Sequence, residues 1–205
     1  MNEIEVIENP RTAAVSLHPV RSQMLAQLSE GDTATGLAER LGLTRQKANY
    51  HLRALESSGL VELVEERRKR NTTERVMRAT SEAYVISPAA LASVAPDPDR
   101  APDQLSARWL LALASRMVQE LGVLMHRSRA ARQPLASFGM DGEVAFANAK
   151  DRAAFVAELS DSVEGLLAKY HAGATAGSRK HRLILALYPA ITKNEPSNDE
   201  TPTGR

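Results

Sequence analysis

Cysteine is absent from the sequence. That excludes disulfides, thiolate metal ligands and cysteine nucleophiles, and it suits a reducing compartment. Aromatic residues are scarce, at 4%, so a core must be built from Leu, Val, Ala and Met. No segment approaches the roughly 20 apolar residues that a membrane span needs. The opening "MNEIEVIENP" is acidic and lacks the apolar centre of a secretory signal. The chain is therefore expected to be cytoplasmic, with no membrane partner. Also missing are a Gly-rich phosphate loop, a G-x-S-x-G elbow and a spaced metal-ligand set. Asp141 and Glu143 would share one strand face, a pattern commonly just solvated. His18, His51, His126, His171 and His181 fall in five separate predicted elements and read as structural or surface imidazoles. The expectation is a non-enzyme with no cofactor and no bound metal.

Net charge is nearly absent too, at +1 over 205 residues. Its distribution is uneven. From Arg45 to Arg78 there are nine Lys/Arg against five Asp/Glu, whereas the first nine residues hold three Glu and no base. A basic segment in a neutral chain points to an anionic partner for that segment.

Residues 1–9 read as disordered. Helical periodicity starts at Pro10 and breaks near His18-Pro19; Val20, Met24, Leu25 and Leu28 then make one apolar stripe. Thr33 or Thr35 caps a short helix holding Leu37, Ala38 and Leu41, and Gly42 ends it. Thr44 caps a longer helix to about Ser58, and Gly59 stops it. Strands are predicted over 60–66 and 74–80, with Leu60, Val61, Leu63, Val64, Val76 and Met77 as their apolar positions and Arg67 to Thr73 as the turn. Residues 84–86 suggest a third strand. Four prolines then mark 88–102 as a linker.

A second domain is predicted over 103–191. A long helix from Asp103 to about Arg132 carries Leu105, Trp109, Leu113, Met117, Leu121 and Leu124 on one stripe. In "LASFGMDGEVAFA", Ala136, Phe138, Met140, Val144 and Phe146 share a face. A hairpin at Asp141-Gly142 would mix the faces, so one continuous strand is expected. Asn148 caps another helix with Phe155, Leu159, Val163, Leu166 and Tyr170 inward, and "HRLILALYPAI" reads as a central strand. Residues 192–205 are polar and read as a disordered tail. The fold class is α+β: residues 10–87 form a winged helix-turn-helix joined to a C-terminal helix–strand–helix–strand unit for dimerisation or sensing.

A helix beside a basic hairpin suits double-stranded DNA, because an α-helix fits the major groove and a basic tip can follow phosphates. At about 100° per residue, Ala48, Leu52 and Leu55 point to the core. Gln46, Tyr50 and Arg53 lie opposite, flanked by Lys47 and Asn49, with Arg45 at the helix start. Gln and Asn pair bidentately with adenine, and Arg with guanine. Arg67, Arg68, Lys69 and Arg70 are the candidate phosphate or minor-groove contacts, while Arg75 and Arg78 are expected to pair with Glu62 or Glu65.

The segments "LHPVRSQMLAQL", "TATGLAERLGLTRQKANYHLRALESSGLVEL" and "ERRKRNTTERVMRAT" resemble bacterial ArsR-type winged-helix regulators over about residues 15–87. The resemblance implies a dimer on a near-palindromic operator, usually a repressor released by a signal. It maps the reading helix onto Thr44, Arg45, Gln46, Lys47, Asn49 and Tyr50. The C-terminal unit looks like that of longer relatives with an added α/β domain.

For that unit, dimerisation is the plain reading, because two reading helices double the DNA site. The sharper reading is a sensor for a small-molecule effector, with Trp109, Met117, Phe138, Met140, Phe146 and Tyr188 lining an apolar pocket. The alternative for the whole chain is a winged-helix protein-interaction module without DNA specificity.

Overall fold

The computed structural model describes residues 1–69, 72–100, 103, 106–171 and 177–191. The chain is mixed α+β, in the order β1 (Asn2–Ile7), α1 (Pro10–Ser16), α2 (Pro19–Ala26), β2 (Asp32–Thr33), α3 (Ala34–Leu41), α4 (Arg45–Ser57), β3 (Val61–Lys69), β4 (Thr72–Ala79), β5 (Ser81–Ile86), α5 (Ala107–Ala131) and α6 (Ala149–Tyr170). It divides into two compact units, Met1–Ala136 and Ser137–Arg205.

In the first unit the helices start and stop where local chemistry requires. Asn9 caps α1 and accepts from the backbone of Arg11 and Thr12. Thr33 caps α3, and Thr44 caps α4 by accepting from Lys47 N at 3.3 Å. The turn between α3 and α4 needs a left-handed residue, and Gly42 supplies it at φ +62°. Met24, Leu28, Leu37, Ala48, Leu52 and Leu55 interlock as the core of the helical bundle.

Strands β2, β4 and β3 form an antiparallel sheet in that spatial order. Leu60, Val61, Val76 and Met77 are buried as expected, but Leu63 and Val64 are exposed. For Val64 there is a local cause: the β3–β4 register shifts between Leu63 and Glu65, so Val64 is the extra residue of a bulge and faces no residue of β4.

The stretch 1–9, expected to be disordered, holds a strand. Strand β1 pairs in parallel with β5, from Asn2 opposite Ser81 to Ile7 opposite Ile86, and Ile7 is buried. Helix α5 closes over it. Arg129 bonds the Glu5 carboxylate at 2.7 Å and the Ile4 carbonyl. A Cβ on Gly122 would come within 2.8 Å of Val6 Cγ1, so glycine permits this close approach. The described part of 88–102, expected as a linker, holds 3₁₀ turns at Pro88–Leu91 and Pro98–Arg100, and Arg116 of α5 bonds Asp97 and Asp99.

The expected stripe of α5 is not the face that packs. Ala112, Ser115 and Gly122 are buried, while Met117, Leu121 and Leu124 are exposed. Leu105 lies outside the described residues. Gly122 lets β1 approach, and of the named stripe Trp109 and Leu113 are half-buried.

The second unit, taken by itself, contains α6, capped by Asn148 as expected. Phe146 and Phe155 have ring centroids 5.3 Å apart. The strands expected over 136–146 and 181–191 are not formed: 137–147 and 177–191 belong to no ladder. Nor is any α6 residue buried, although Phe155, Leu159, Val163, Leu166 and Tyr170 were expected inward. A strand requires a hydrogen-bonded neighbour and a stripe requires a covering surface. The unit supplies neither among its described residues. The polar tail over 192–205 lies outside the described residues.

Candidate nucleic-acid interface

Helix α4 presents two faces of different chemistry. Ala48 and Leu55 are fully buried and Leu52 nearly so, which fixes the helix rotation. Thr44, Arg45, Gln46, Lys47, Asn49, Tyr50 and Arg53 are all exposed, Tyr50 by 68%. The first turn has no acid, so nothing there repels an anion from the free backbone N–H groups.

The β3–β4 pair extends beside this helix, with Arg67 opposite Glu74 and Arg68 opposite Thr73. Arg68 is exposed. Arg67 is committed to Glu65, donating from Nε to Oε2 at 3.0 Å. The side chain of Lys69 and all of Arg70 lie outside what the structure describes. Arg78 pairs with Glu62 at 2.8 Å, as expected. Arg75 does not pair within the sheet. It reaches back to α4 and grips Glu56 with two bonds, of 2.7 and 3.1 Å. Those bonds hold the Glu56 carboxyl below its ordinary range, against the opposing pull of burial; Arg78 does the same for Glu62. A crevice of about 110 Å³ separates helix from strand, and Arg45, Asn49, Arg53, Thr73 and Glu74 are among its walls.

His18 and His51, which belong to separate elements, bring their rings to 4.9 Å of each other. His51 is on the buried side of α4, and His18 precedes α2 without capping it. Neither Nδ1 has a hydrogen-bond partner. Burial lowers the pKa of His51 most, and His18, Arg21 and Lys47 lower it further by repulsion. The sequence signal was available in the 100° face analysis: His51 neighbours Leu52 and Leu55 on the inner face.

The candidate effector-pocket residues are not gathered within either unit. Trp109 and Met117 belong to the first, and Phe138, Met140, Phe146 and Tyr188 to the second. Phe138, Met140 and Tyr188 are exposed. Among the described residues, no helix is long and apolar enough to cross a membrane.

A family model matches residues 17–64. It describes a helix-turn-helix domain found in ArsR-type and related regulators. The chain carries a helix-turn-helix domain. No curated protein matches the chain. The domain runs from just before α2 into β3, so it includes all the exposed α4 residues named above and stops short of Arg67. A helix-turn-helix domain suggests a DNA-binding regulator, and α4 is the helix that follows the α3–α4 turn within the matched residues.

Proposed function

We propose that this chain is a cytoplasmic, sequence-specific double-stranded-DNA-binding transcriptional regulator of ArsR type, acting as a homodimeric repressor. The observation that carries the reading is the outer face of α4, where Gln46, Asn49, Tyr50 and Arg53 stand exposed above a rigidly packed inner face. Those side chains match base edges, and the groove admits the helix that bears them. The β3–β4 tip is the wing, with Arg68 toward phosphates.

Dimerisation is supported by apolar surface without a cover. Met117, Leu121 and Leu124 on α5, and Leu159, Leu166 and Tyr170 on α6, are each at least 37% exposed. A long helix with an uncovered stripe is stable when a partner buries it. A two-fold dimer also places two α4 helices on successive turns of DNA. The signal that releases the repressor is proposed to be non-metal, and catalysis forms no part of the reading.

Gel shift tests the proposal, first against the promoter of the chain's own gene and then against random fragments. The expected result is a salt-sensitive complex that survives competition by random DNA. Absence of DNA affinity at low salt refutes it and favours a protein-docking role. Sedimentation of the full chain should give a dimer.

A further inference from the structure

Strand β4 leaves the core at Val76 and Met77 and continues outward toward the basic tip. Beyond that point the backbone of β3 and β4 is a two-stranded ribbon, which by itself bends and twists easily. Two side-chain ties secure it to the helices. Thr35 of α3 donates its hydroxyl to Glu74 Oε1 at 3.0 Å. Arg75 holds both carboxylate oxygens of Glu56 on α4, at 2.7 and 3.1 Å. Paired bonds of this kind fix orientation as well as distance.

Glu56 is badly placed for any other purpose. It occupies the last turn of α4, where the helix dipole disfavours an anion. It also borders the crevice shared with Arg45, Asn49 and Arg53, where a carboxylate repels DNA phosphates. We infer that Glu56, acting through Arg75, is a positioning residue that sets the angle of the β3–β4 tip against the reading helix, with Thr35–Glu74 as a second tie. The inference rests on the DNA-reading proposal, since a fixed angle matters when helix and tip must meet one duplex together.

The decisive feature of the test is its sign. Glu56→Gln removes a negative charge beside the DNA surface and leaves at most one of the two bonds to Arg75, so the paired grip is lost. Electrostatics alone then predicts equal or tighter binding. Loss of positioning predicts weaker binding, because the tip must be ordered at the moment of association. The probe is the duplex that the unaltered full-length chain selects from a random library. Glu56→Gln is expected to weaken binding to it by roughly fivefold or more, with the dependence on salt unchanged because no phosphate contact is removed. The charge swap E56R/R75E, which restores the pair in reverse, is expected to recover most of the loss. Thermal melting of both variants should stay close to the original, since exposed ion pairs contribute little stability. Binding by Glu56→Gln as tight as the original, or tighter, overturns the inference alone. A swap that fails to recover affinity while melting normally also overturns it. Failure of the unaltered chain to bind or select any duplex overturns the DNA-reading proposal and the inference with it.

Discussion

Acidification should destabilise the helix-turn-helix unit in a window set by His51. Its imidazole is buried against α2, and its pKa lies below the ordinary 6.5 because burial, then His18, Arg21 and Lys47, disfavour the charged form. The unfolded chain takes up the proton near the ordinary value, while the folded chain resists until lower pH. Between those two values the unfolded state holds more protons, so stability falls as pH falls. Above the ordinary value the ring is neutral in both states and contributes no slope. Below the folded-state value it is charged in both, and the slope vanishes again. Within the window one proton contributes a slope of up to about 1.4 kcal/mol per pH unit. Glu56 and Glu62, whose pKa values are lowered from 4.5, respond only at lower pH, where their bonds to Arg75 and Arg78 are lost. Urea unfolding followed by circular dichroism, from about pH 7.5 to about pH 5, therefore separates His51 from these carboxylates, and the substitution separates it from the other imidazoles. The original chain should lose stability across this range, and His51→Gln should lose distinctly less. Parallel curves for the two proteins would refute the reasoning, as would an imidazole resonance of His51 that titrates at or above the ordinary value.

The remaining predictions concern reading, charge and the turn. Gln46→Ala and Asn49→Ala should each cost about 1–3 kcal/mol at one base pair and little elsewhere, measured by competition among singly altered duplexes. Arg68→Gln should weaken binding to every sequence and reduce the salt slope by about 1. Neutralising Arg67, Arg68, Lys69 and Arg70 together without changing that slope would show that the tip does not touch phosphates. Gly42→Ala should destabilise by about 1–2 kcal/mol; no atom lies within 4 Å of the added Cβ, so the cost is backbone strain at φ +62°. Gly42→Asn, better tolerated in that conformation, should recover part of it in thermal melts.

What was legible in the sequence divides along the range of the forces involved. Helices α1 to α4 follow from caps and stripes within a few residues: Thr44 bonds Lys47, and Gly42 supplies the turn. Such signals are complete in the local chain, so the outer face of α4 could be assigned residue by residue. Strand β1 was not legible because its partner β5 lies about seventy-five residues away, and three glutamates in a short stretch look like a solvated tail. Arg75 was misassigned for a related reason. Strand pairing places it opposite Glu66, but its bonds go to Glu56 of α4, a contact between elements that strand alternation does not encode. The C-terminal unit fails in the opposite direction. Alternation in "LASFGMDGEVAFA" and "HRLILALYPAI" states which side of a strand would be apolar, yet it cannot create the neighbour that makes a strand. With Phe138 92% and Ile191 96% exposed, the pattern is a demand for burial rather than evidence of it. The same holds for the stripe of α6, none of whose residues is buried by the described residues. Apolar periodicity in a single chain therefore identifies surfaces that favour burial, and it does not say what covers them.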